Sequence, residues 1–236
     1  MKQREPSKHQ QLREEIISSI RERQGLGLLS GTAGNLSART PEGAILITPS
    51  GLDSIRLRPE DLVLVDVEGR VLAGDLVPSS EVAMHTRLYR CQPQVGGIVH
   101  THARYSTVLA CLGWEIPPIH YMLAALTRDG RIPVAPYALY GSDELAQSAV
   151  QTLDEVHRGC LLQNHGNLTV GATLRQAHAR SIILEEVAEV YYHARLAGEP
   201  RLLSTEHIAE VYNKLAHYGQ PKADPPDTNS EDNETL

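Results

Sequence analysis

The length, composition and charge of the chain exclude several classes of protein. Its 236 residues are 41% hydrophobic, which is enough for a sizeable core, and its net charge of -7 argues against a nucleic-acid partner. No run of about 18 apolar residues is present that would span a membrane, and the three cysteines lack the spacing of a disulfide framework or a metal site. We therefore expect a soluble protein of the reducing cytoplasm.

Apolar periodicity and turn residues predict the elements in the first part of the chain. Leu12, Ile16 and Ile20 recur at every fourth position and predict a helix over residues 10–24. Four short strands are predicted, one at the end of the small-residue loop over residues 31–39 and the others over residues 44–48, 62–67 and 70–72. Residues 62–67 are rich in Val and Leu. Ser80 is then predicted to be the N-cap of a helix that reaches about residue 90.

The second part of the chain alternates strands with longer helices. The predicted strands cover residues 95–100, 132–135, 160–163 and 168–170. The predicted helices cover residues 106–112, 142–153, 173–198 and 204–217. Thr173 and Gln176 form a predicted capping box at the start of the longest of these helices.

This order of elements predicts an α/β fold, with a single layered domain and a central mixed, mostly antiparallel sheet flanked by helices. We expect the domain to occupy residues 1–219. Residues 220–236 are polar and acidic, and we expect them to form a disordered tail.

Two histidines at the end of an apolar strand give the first chemical signal. His100 and His102 flank a single residue, so in an extended strand both imidazoles point towards one place. A divalent metal, most often zinc, binds such a pair, but an exposed polar pair or a satisfied buried pair gives the same pattern. His165 in a tight turn and Glu81 at a helix start would complete a catalytic zinc site.

Small and hydroxyl-bearing residues form further clusters that offer backbone amides and hydroxyls to an anion. The clusters are the loop around Gly31, Gly34-Asn35, Ser50-Gly51 and Ser79-Ser80. The predicted helix start beside Ser80 adds a favourable dipole, which makes it a candidate phosphate site. Ordinary turn and capping chemistry is the commoner explanation of any single cluster, so the prediction depends on their combination with three histidines and a glutamate.

In their order and spacing, these motifs resemble the signatures of a known family. The matching stretches are Gly31-Thr32-Ala33-Gly34-Asn35-Leu36-Ser37, Thr48-Pro49-Ser50-Gly51, Pro78-Ser79-Ser80-Glu81, His100-Thr101-His102, Ile119-His120-Tyr121-Met122 and Gln163-Asn164-His165-Gly166. Over residues 10–219 the chain is similar to the class II aldolase and adducin head-domain family. Within that family it most resembles the L-fuculose-1-phosphate aldolases.

The resemblance implies a role for each matching residue. It implies one Zn2+ ion, or another divalent metal ion, in each subunit, with Glu81, His100, His102 and His165 as ligands. Glu81 is also implied to act as the acid/base. The residues implied to hold the substrate phosphate are Gly34, Asn35, Ser50, Gly51, Ser79 and Ser80. Tyr121 and Tyr218 are implied to be catalytic and to reach the site from a neighbouring subunit of a homotetramer.

The implied reaction is the reversible cleavage of a ketose 1-phosphate, L-fuculose 1-phosphate or a related deoxyketose phosphate, to dihydroxyacetone phosphate and a short aldehyde. Zinc would disperse the charge of the carbanion as an enediolate. Two departures concern the substrate pocket near the aldehyde: Tyr140 stands where the fuculose enzymes have phenylalanine, and the loop of residues 123–129 is one residue longer.

The family leaves alternatives open. A ribulose-phosphate 4-epimerase uses the same metal and the same type of intermediate, and a methylthioribulose-1-phosphate dehydratase is a further alternative. Tyr121 matches the aldolase pattern and favours an aldolase. A non-catalytic adducin-like binding module lacks the metal histidines, all three of which are present in this chain.

Overall fold

Within residues 9–28, 31–215 and 217–218, which the computed structural model describes, eight strands form one sheet. The strands are β1 (Asn35–Arg39), β2 (Ile45–Ile47), β3 (Val63–Val65), β4 (Val71–Ala73), β5 (Gly97–Thr101), β6 (Val134–Ala135), β7 (Gly159–Leu162) and β8 (Gly166–Gly171). Their order across the sheet is β4-β3-β2-β1-β5-β8-β7-β6. Among these described pairs only β6 and β7 run parallel, so the predicted mixed, mostly antiparallel sheet is confirmed.

Helices cover both faces of the sheet. They are α1 (Gln10–Gly25), α2 (Val82–Cys91), α3 (Arg104–Leu112), α4 (Asp143–Thr152), α5 (Leu174–Ala197) and α6 (Thr205–Leu215), with short 3-10 helices at Ser54–Arg56, Pro59–Asp61 and Tyr121–Ala125. Because side chains alternate along a strand, Ile98 packs with α2 and α4 while Val99 packs with α1 on the other face. A third apolar cluster joins α3 and α5 to the 3-10 helix that begins at Tyr121.

Three local predictions need correction. Ser80 is not the N-cap of α2, because Glu81 takes that position and its carboxylate is used elsewhere. The capping box of α5 is half formed: the Thr173 hydroxyl accepts from Gln176 N, but the Gln176 side chain accepts from Ala172 N. The strand predicted over residues 132–135 shrinks to β6, because Ile132 instead forms an isolated bridge with Ile116.

Strand register brings distant parts of the chain to the same end of the central strands β1, β5 and β8. Asn35 at the start of β1 lies opposite His100 near the end of β5, and Thr101 lies opposite Asn167 in β8. The turn between β7 and β8 therefore lies beside the end of β5. Among the described residues, no helix combines the length and the apolar character that crossing a bilayer requires. The tail predicted over residues 220–236 lies outside the described residues.

Candidate metal centre and active site

Three histidines from two strand regions converge at this end of the central strands. His100 belongs to β5, His102 follows directly after β5, and His165 lies in the turn between β7 and β8. Their ring centroids are 4.8 to 4.9 Å apart. The Nε2 atoms of His100 and His102 are 3.0 Å apart, and the candidate ligand atoms of all three residues lie within 4.8 Å of one another. The imidazoles thus face a common point.

The conformation of the β7–β8 turn explains how His165 reaches this point. Asn164 adopts a φ of 54°, in the left-handed region that asparagine tolerates better than most residues. A Cβ on Gly166 would lie 2.4 Å from the carbonyl oxygen of Thr101 and 2.9 Å from Cδ2 of His102. Only glycine allows the turn to approach β5 this closely, so Gly166 places His165 beside the other two rings.

Glu81 completes the cluster from the N-terminal end of α2. Its Oε2 atom accepts a hydrogen bond from Asn35 Nδ2 at 2.8 Å and lies 3.2 Å from His100 Nε2. Its Oε1 atom lies 3.5 Å from His165 Nε2 and is buried with no hydrogen-bond partner among the residues that the structure describes. Asn35 therefore holds Oε2 by a hydrogen bond, while Oε1 faces the imidazole of His165 without one.

These four side chains fit a divalent metal ion. In a tetrahedral zinc site, metal–nitrogen bonds of about 2.0–2.1 Å place the ligand atoms roughly 3.3 Å apart, and several separations within the cluster are close to this value. His100 Nδ1 lies 2.8 Å from the carbonyl oxygen of Asn167 and donates to it, which leaves Nε2 as the ligand atom. The unpaired, buried Oε1 of Glu81 is a further sign of a missing positive partner.

Electrostatics favour the protonation states that such a site needs at Glu81, His102 and His165, but not at His100. Burial by itself would raise the pKa of Glu81, but the charge of His100, its hydrogen bond and that of Asn35 hold this pKa well below its usual range. Burial and repulsion from the neighbouring imidazoles lower the pKa of His102 to about 4 and also lower that of His165. Burial would also lower the pKa of His100, but the Glu81 carboxylate outweighs it and raises this pKa.

A polar cavity of about 280 Å³ opens beside the cluster. The residues that line it come from five segments and the turn that holds His165, and they are Thr32, Ala33, Gly34, Asn35, Pro49, Ser50, Gly51, Ser79, Ser80, Glu81, His102, Tyr140 and His165. All residues predicted to contact the phosphate are in this set, together with Tyr140. Since no Lys or Arg occurs among these described lining residues, an anion here would be held by backbone amides, hydroxyls and the start of α2.

Backbone hydrogen bonds hold two of the lining loops together. Ser79 N donates to the carbonyl of Thr48 at 3.0 Å, and Ser50 N donates to that of Val77 at 2.9 Å. These bonds flank an antiparallel bridge between Pro49 and Pro78. Ser50 and Ser79 therefore face the same cavity although 28 residues separate them along the chain.

The two predicted catalytic tyrosines lie apart from the cavity in the chain as described. Tyr121 is 51% exposed and Tyr218 is 83% exposed, and neither is among the described residues that line the cavity. Their predicted action across a subunit interface stays a prediction.

Sequence reasoning missed two residues that support the cluster. The Asn167 side chain donates to Thr101 Oγ1 at 2.9 Å and to Ser106 Oγ at 2.6 Å, and the backbone carbonyl of Asn167 accepts from His100. Its signal was a polar residue inside an apolar strand directly after the histidine turn. His85 is fully buried, and its Nε2 lies 2.5 Å from Asn35 Oδ1. Its signal was the spacing of four residues from Glu81 on one helix.

Comparison with known proteins agrees with this fold. Residues 14–192 match the family described as Class II Aldolase and Adducin N-terminal domain. The chain therefore belongs to the class II aldolase and adducin head-domain family.

Individual relatives narrow the class further. The chain is 42% identical to a 5-methylthioribulose-1-phosphate/5-deoxyribulose-1-phosphate aldolase of Rhodospirillum rubrum, over 88% of this chain and 92% of the relative. It is 37% identical to an L-fuculose phosphate aldolase of Escherichia coli, over 88% of this chain and 95% of that protein. A solved structure of an L-fuculose 1-phosphate aldolase superposes with a TM-score of 0.83 at 36% identity, covering 86% of this chain and 95% of the other. The chain is an enzyme of the class II aldolase type.

Proposed function

We propose that this chain is a zinc-dependent aldolase that reversibly cleaves a ketose 1-phosphate to dihydroxyacetone phosphate and a short aldehyde. The observation that carries the proposal is the convergence of three imidazoles and the Glu81 carboxylate beside a cavity lined by amides and hydroxyls. The proposed substrates are L-fuculose 1-phosphate and related deoxyketose phosphates. The greater identity to the deoxyribulose-phosphate relative favours a 5-deoxypentulose 1-phosphate.

His100, His102, His165 and Glu81 would hold the zinc ion. When bound, zinc supplies a Lewis acid that withdraws electron density from the substrate carbonyl. The protein contributes a rigid arrangement, because His100 is oriented by Asn167 and His165 by a turn that glycine makes possible.

The small-residue loops would bind the substrate phosphate. Ser50, Ser79 and Ser80 offer hydroxyls, Gly51 and Ser80 offer backbone amides, and α2 begins beside them. The amides of Ser50 and Ser79 are already bonded to the carbonyls of Val77 and Thr48. A phosphate anchored there would direct the carbonyl end of the substrate towards His102 and His165, which line the same cavity.

Glu81 would move the proton at carbon. Its Oε2 is tied to Asn35, whereas its buried Oε1 has no hydrogen-bond partner in the described structure. In the synthetic direction the free carboxylate oxygen would remove the proton beside the substrate carbonyl, and in the cleavage direction it would return that proton to the same carbon.

Tyr121 and Tyr218 are proposed to act from a neighbouring subunit of a cytoplasmic homotetramer. In this arrangement Tyr121 would exchange the proton of the hydroxyl that becomes the aldehyde. Their exposure, and their position outside the cavity of a single chain, support delivery from a second subunit. Tyr140, which is 65% exposed at the cavity, would contact the aldehyde portion.

The experiment is a substrate panel with an enzymatic readout of dihydroxyacetone phosphate. The panel contains 5-deoxyribulose 1-phosphate, 5-methylthioribulose 1-phosphate and L-fuculose 1-phosphate, with ribulose 5-phosphate as an epimerase probe. With 5-methylthioribulose 1-phosphate the products are also tested for dehydration. We expect release of dihydroxyacetone phosphate that stops after chelation and returns on addition of Zn2+. Epimerisation or dehydration without that release would replace the aldolase, and full activity without metal would refute the mechanism.

A further inference from the structure

The geometry points to His85 as a positioning residue that fixes the orientation of the Asn35 amide and, through it, one oxygen of Glu81. This inference rests on the proposed function for its effect on turnover. The hydrogen-bond chain on which it is built is a property of the fold alone.

A continuous chain of buried polar contacts runs behind the candidate metal centre. The Tyr89 hydroxyl lies 2.9 Å from Ser37 Oγ, and Ser37 Oγ lies 2.6 Å from His85 Nδ1. His85 Nε2 lies 2.5 Å from Asn35 Oδ1, and Asn35 Nδ2 lies 2.8 Å from Glu81 Oε2. All five side chains belong to buried residues, so water does not compete for these bonds.

The carboxylate at one end sets the direction of every bond in this chain. A carboxylate only accepts hydrogen bonds, so Asn35 must present its amide nitrogen to Glu81. Asn35 Oδ1 then faces His85 Nε2, which must carry the proton. In a neutral imidazole the opposite nitrogen is bare, so His85 Nδ1 must accept from the Ser37 hydroxyl, and Ser37 in turn accepts from Tyr89.

This chain excludes the alternative orientation of Asn35. A flipped amide would turn its carbonyl oxygen towards the Glu81 carboxylate and leave the imidazole N–H of His85 without an acceptor. Because the amide nitrogen carries two hydrogens, the observed orientation also leaves one donor beyond the bond to Glu81. Asn35 lines the cavity, where a donor suits an anion and a carbonyl oxygen does not.

The same contact makes the two oxygens of Glu81 unequal. Oε2 stays bound to the oriented amide, while Oε1 remains without a hydrogen-bond partner among the described residues. His85 thus holds the carboxylate in a fixed position without touching the substrate, which distinguishes it from the catalytic residues.

Two substitutions of His85 separate its donor function from its volume. In His85→Gln the side-chain nitrogen can occupy the place of Nε2 and still donate to Asn35, whereas the shorter His85→Asn can replace only Nδ1 and loses that donor. We expect His85→Asn to lower kcat by about 10- to 100-fold with a smaller change in KM, and His85→Gln to restore most of kcat. Zinc should still be bound in both variants, since all four proposed ligands are retained.

Equal losses of kcat in both variants, or an unchanged kcat in His85→Asn, would overturn the inference. Nitrogen-15 NMR of the unmodified full chain, labelled at histidine and assigned against His85→Gln, tests the hydrogen-bond chain without any substrate. We expect a neutral His85 with the proton on Nε2, and a proton on Nδ1 would refute the proposed orientation. This measurement stands even if no ketose phosphate is cleaved, so it distinguishes a failure of the inference from a failure of the proposed function.

Discussion

Two cavities lie at opposite ends of β1, β5 and β8, and the larger one is not the candidate active site. The cavity at the far end has a volume of about 560 Å³ and is lined in part by Glu15, Arg39 and Gln94. The cavity at the histidine end has half that volume, at about 280 Å³. The two ends also differ in the chemistry of their side chains.

The difference lies in how polar side chains are used. At the far end, the Arg39 guanidinium lies over the Tyr89 ring at 4.8 Å and donates to the carbonyls of Tyr89 and Val95. At the histidine end, Glu81 leaves a buried oxygen without a hydrogen-bond partner among the described residues, and three imidazoles face one point. A cluster of ionisable side chains that converge on one point therefore marks the functional end better than cavity volume does.

The largest expected effect follows removal of a metal ligand. We expect His100→Ala to lose the bound metal and at least about 100-fold in turnover, because an imidazole at the centre of the cluster is missing. Metal analysis and release of dihydroxyacetone phosphate measure the two effects. Gln94→Ala at the far end is the control and should leave both unchanged. Retained activity in His100→Ala would remove the histidine end from consideration.

Glu81→Gln should separate chemistry from binding. The amide keeps the shape of the carboxylate but cannot take the proton at carbon, so we expect kcat to fall by about 10²- to 10⁴-fold while KM changes far less. Steady-state kinetics measure both quantities, and Glu15→Gln in the far cavity is the matched substitution. A normal rate for Glu81→Gln would exclude this residue as the acid/base.

Tyr218→Phe tests whether the histidine end is complete in one subunit. We expect lower turnover without loss of metal, because Tyr218 is exposed and outside the described cavity lining. Co-expression of Tyr218→Phe with Glu81→Gln subunits should restore part of the activity if a tyrosine from one subunit serves the Glu81 of another. Loss of zinc in Tyr218→Phe, or no complementation between the variants, would contradict shared sites.

The smallest expected effect concerns stability in acid. Burial lowers the pKa of His85 to about 3, so between that value and its unfolded value near 6.5 the unfolded chain binds more protons than the folded one. His85 therefore makes the free energy of unfolding fall with falling pH in this window, by about 1 kcal/mol per pH unit. Urea unfolding at pH 7 and pH 5 should show a weaker pH dependence in His85→Gln. An identical dependence in both proteins would contradict a neutral, buried His85.

Sequence reasoning was most successful where the chemistry is local. The spacing of His100 and His102 on one strand predicted that both imidazoles point to one place, and the structure brings them together with His165 and Glu81. The class of sheet also followed from the order of strands and turns. Local geometry at His165 agreed as well, since asparagine and glycine flank it in a tight turn.

Features that depend on long-range register could not be predicted. Nothing in the sequence shows that Asn35 lies opposite His100. This pairing places Asn35 where it links His85 to Glu81 through hydrogen bonds. The prediction of Ser80 as an N-cap was wrong, because α2 begins one residue later with Glu81 at the N-cap position. Capping preference is a local signal, whereas the Glu81 carboxylate contacts Asn35 and His100 on two strands. The predicted roles of Tyr121 and Tyr218 cannot be judged from one chain, because they require contacts with another subunit.

The anion-binding loops have a consequence for how the enzyme would respond to its medium. Dipoles of fixed amides and hydroxyls do not titrate, and they carry no net charge for dissolved ions to screen as they screen a lysine or arginine. Substrate capture by Ser50 and Ser79 should therefore depend little on ionic strength. Its variation with acidity should follow the ionisation of the phosphate group of the sugar more than that of any cationic side chain around it.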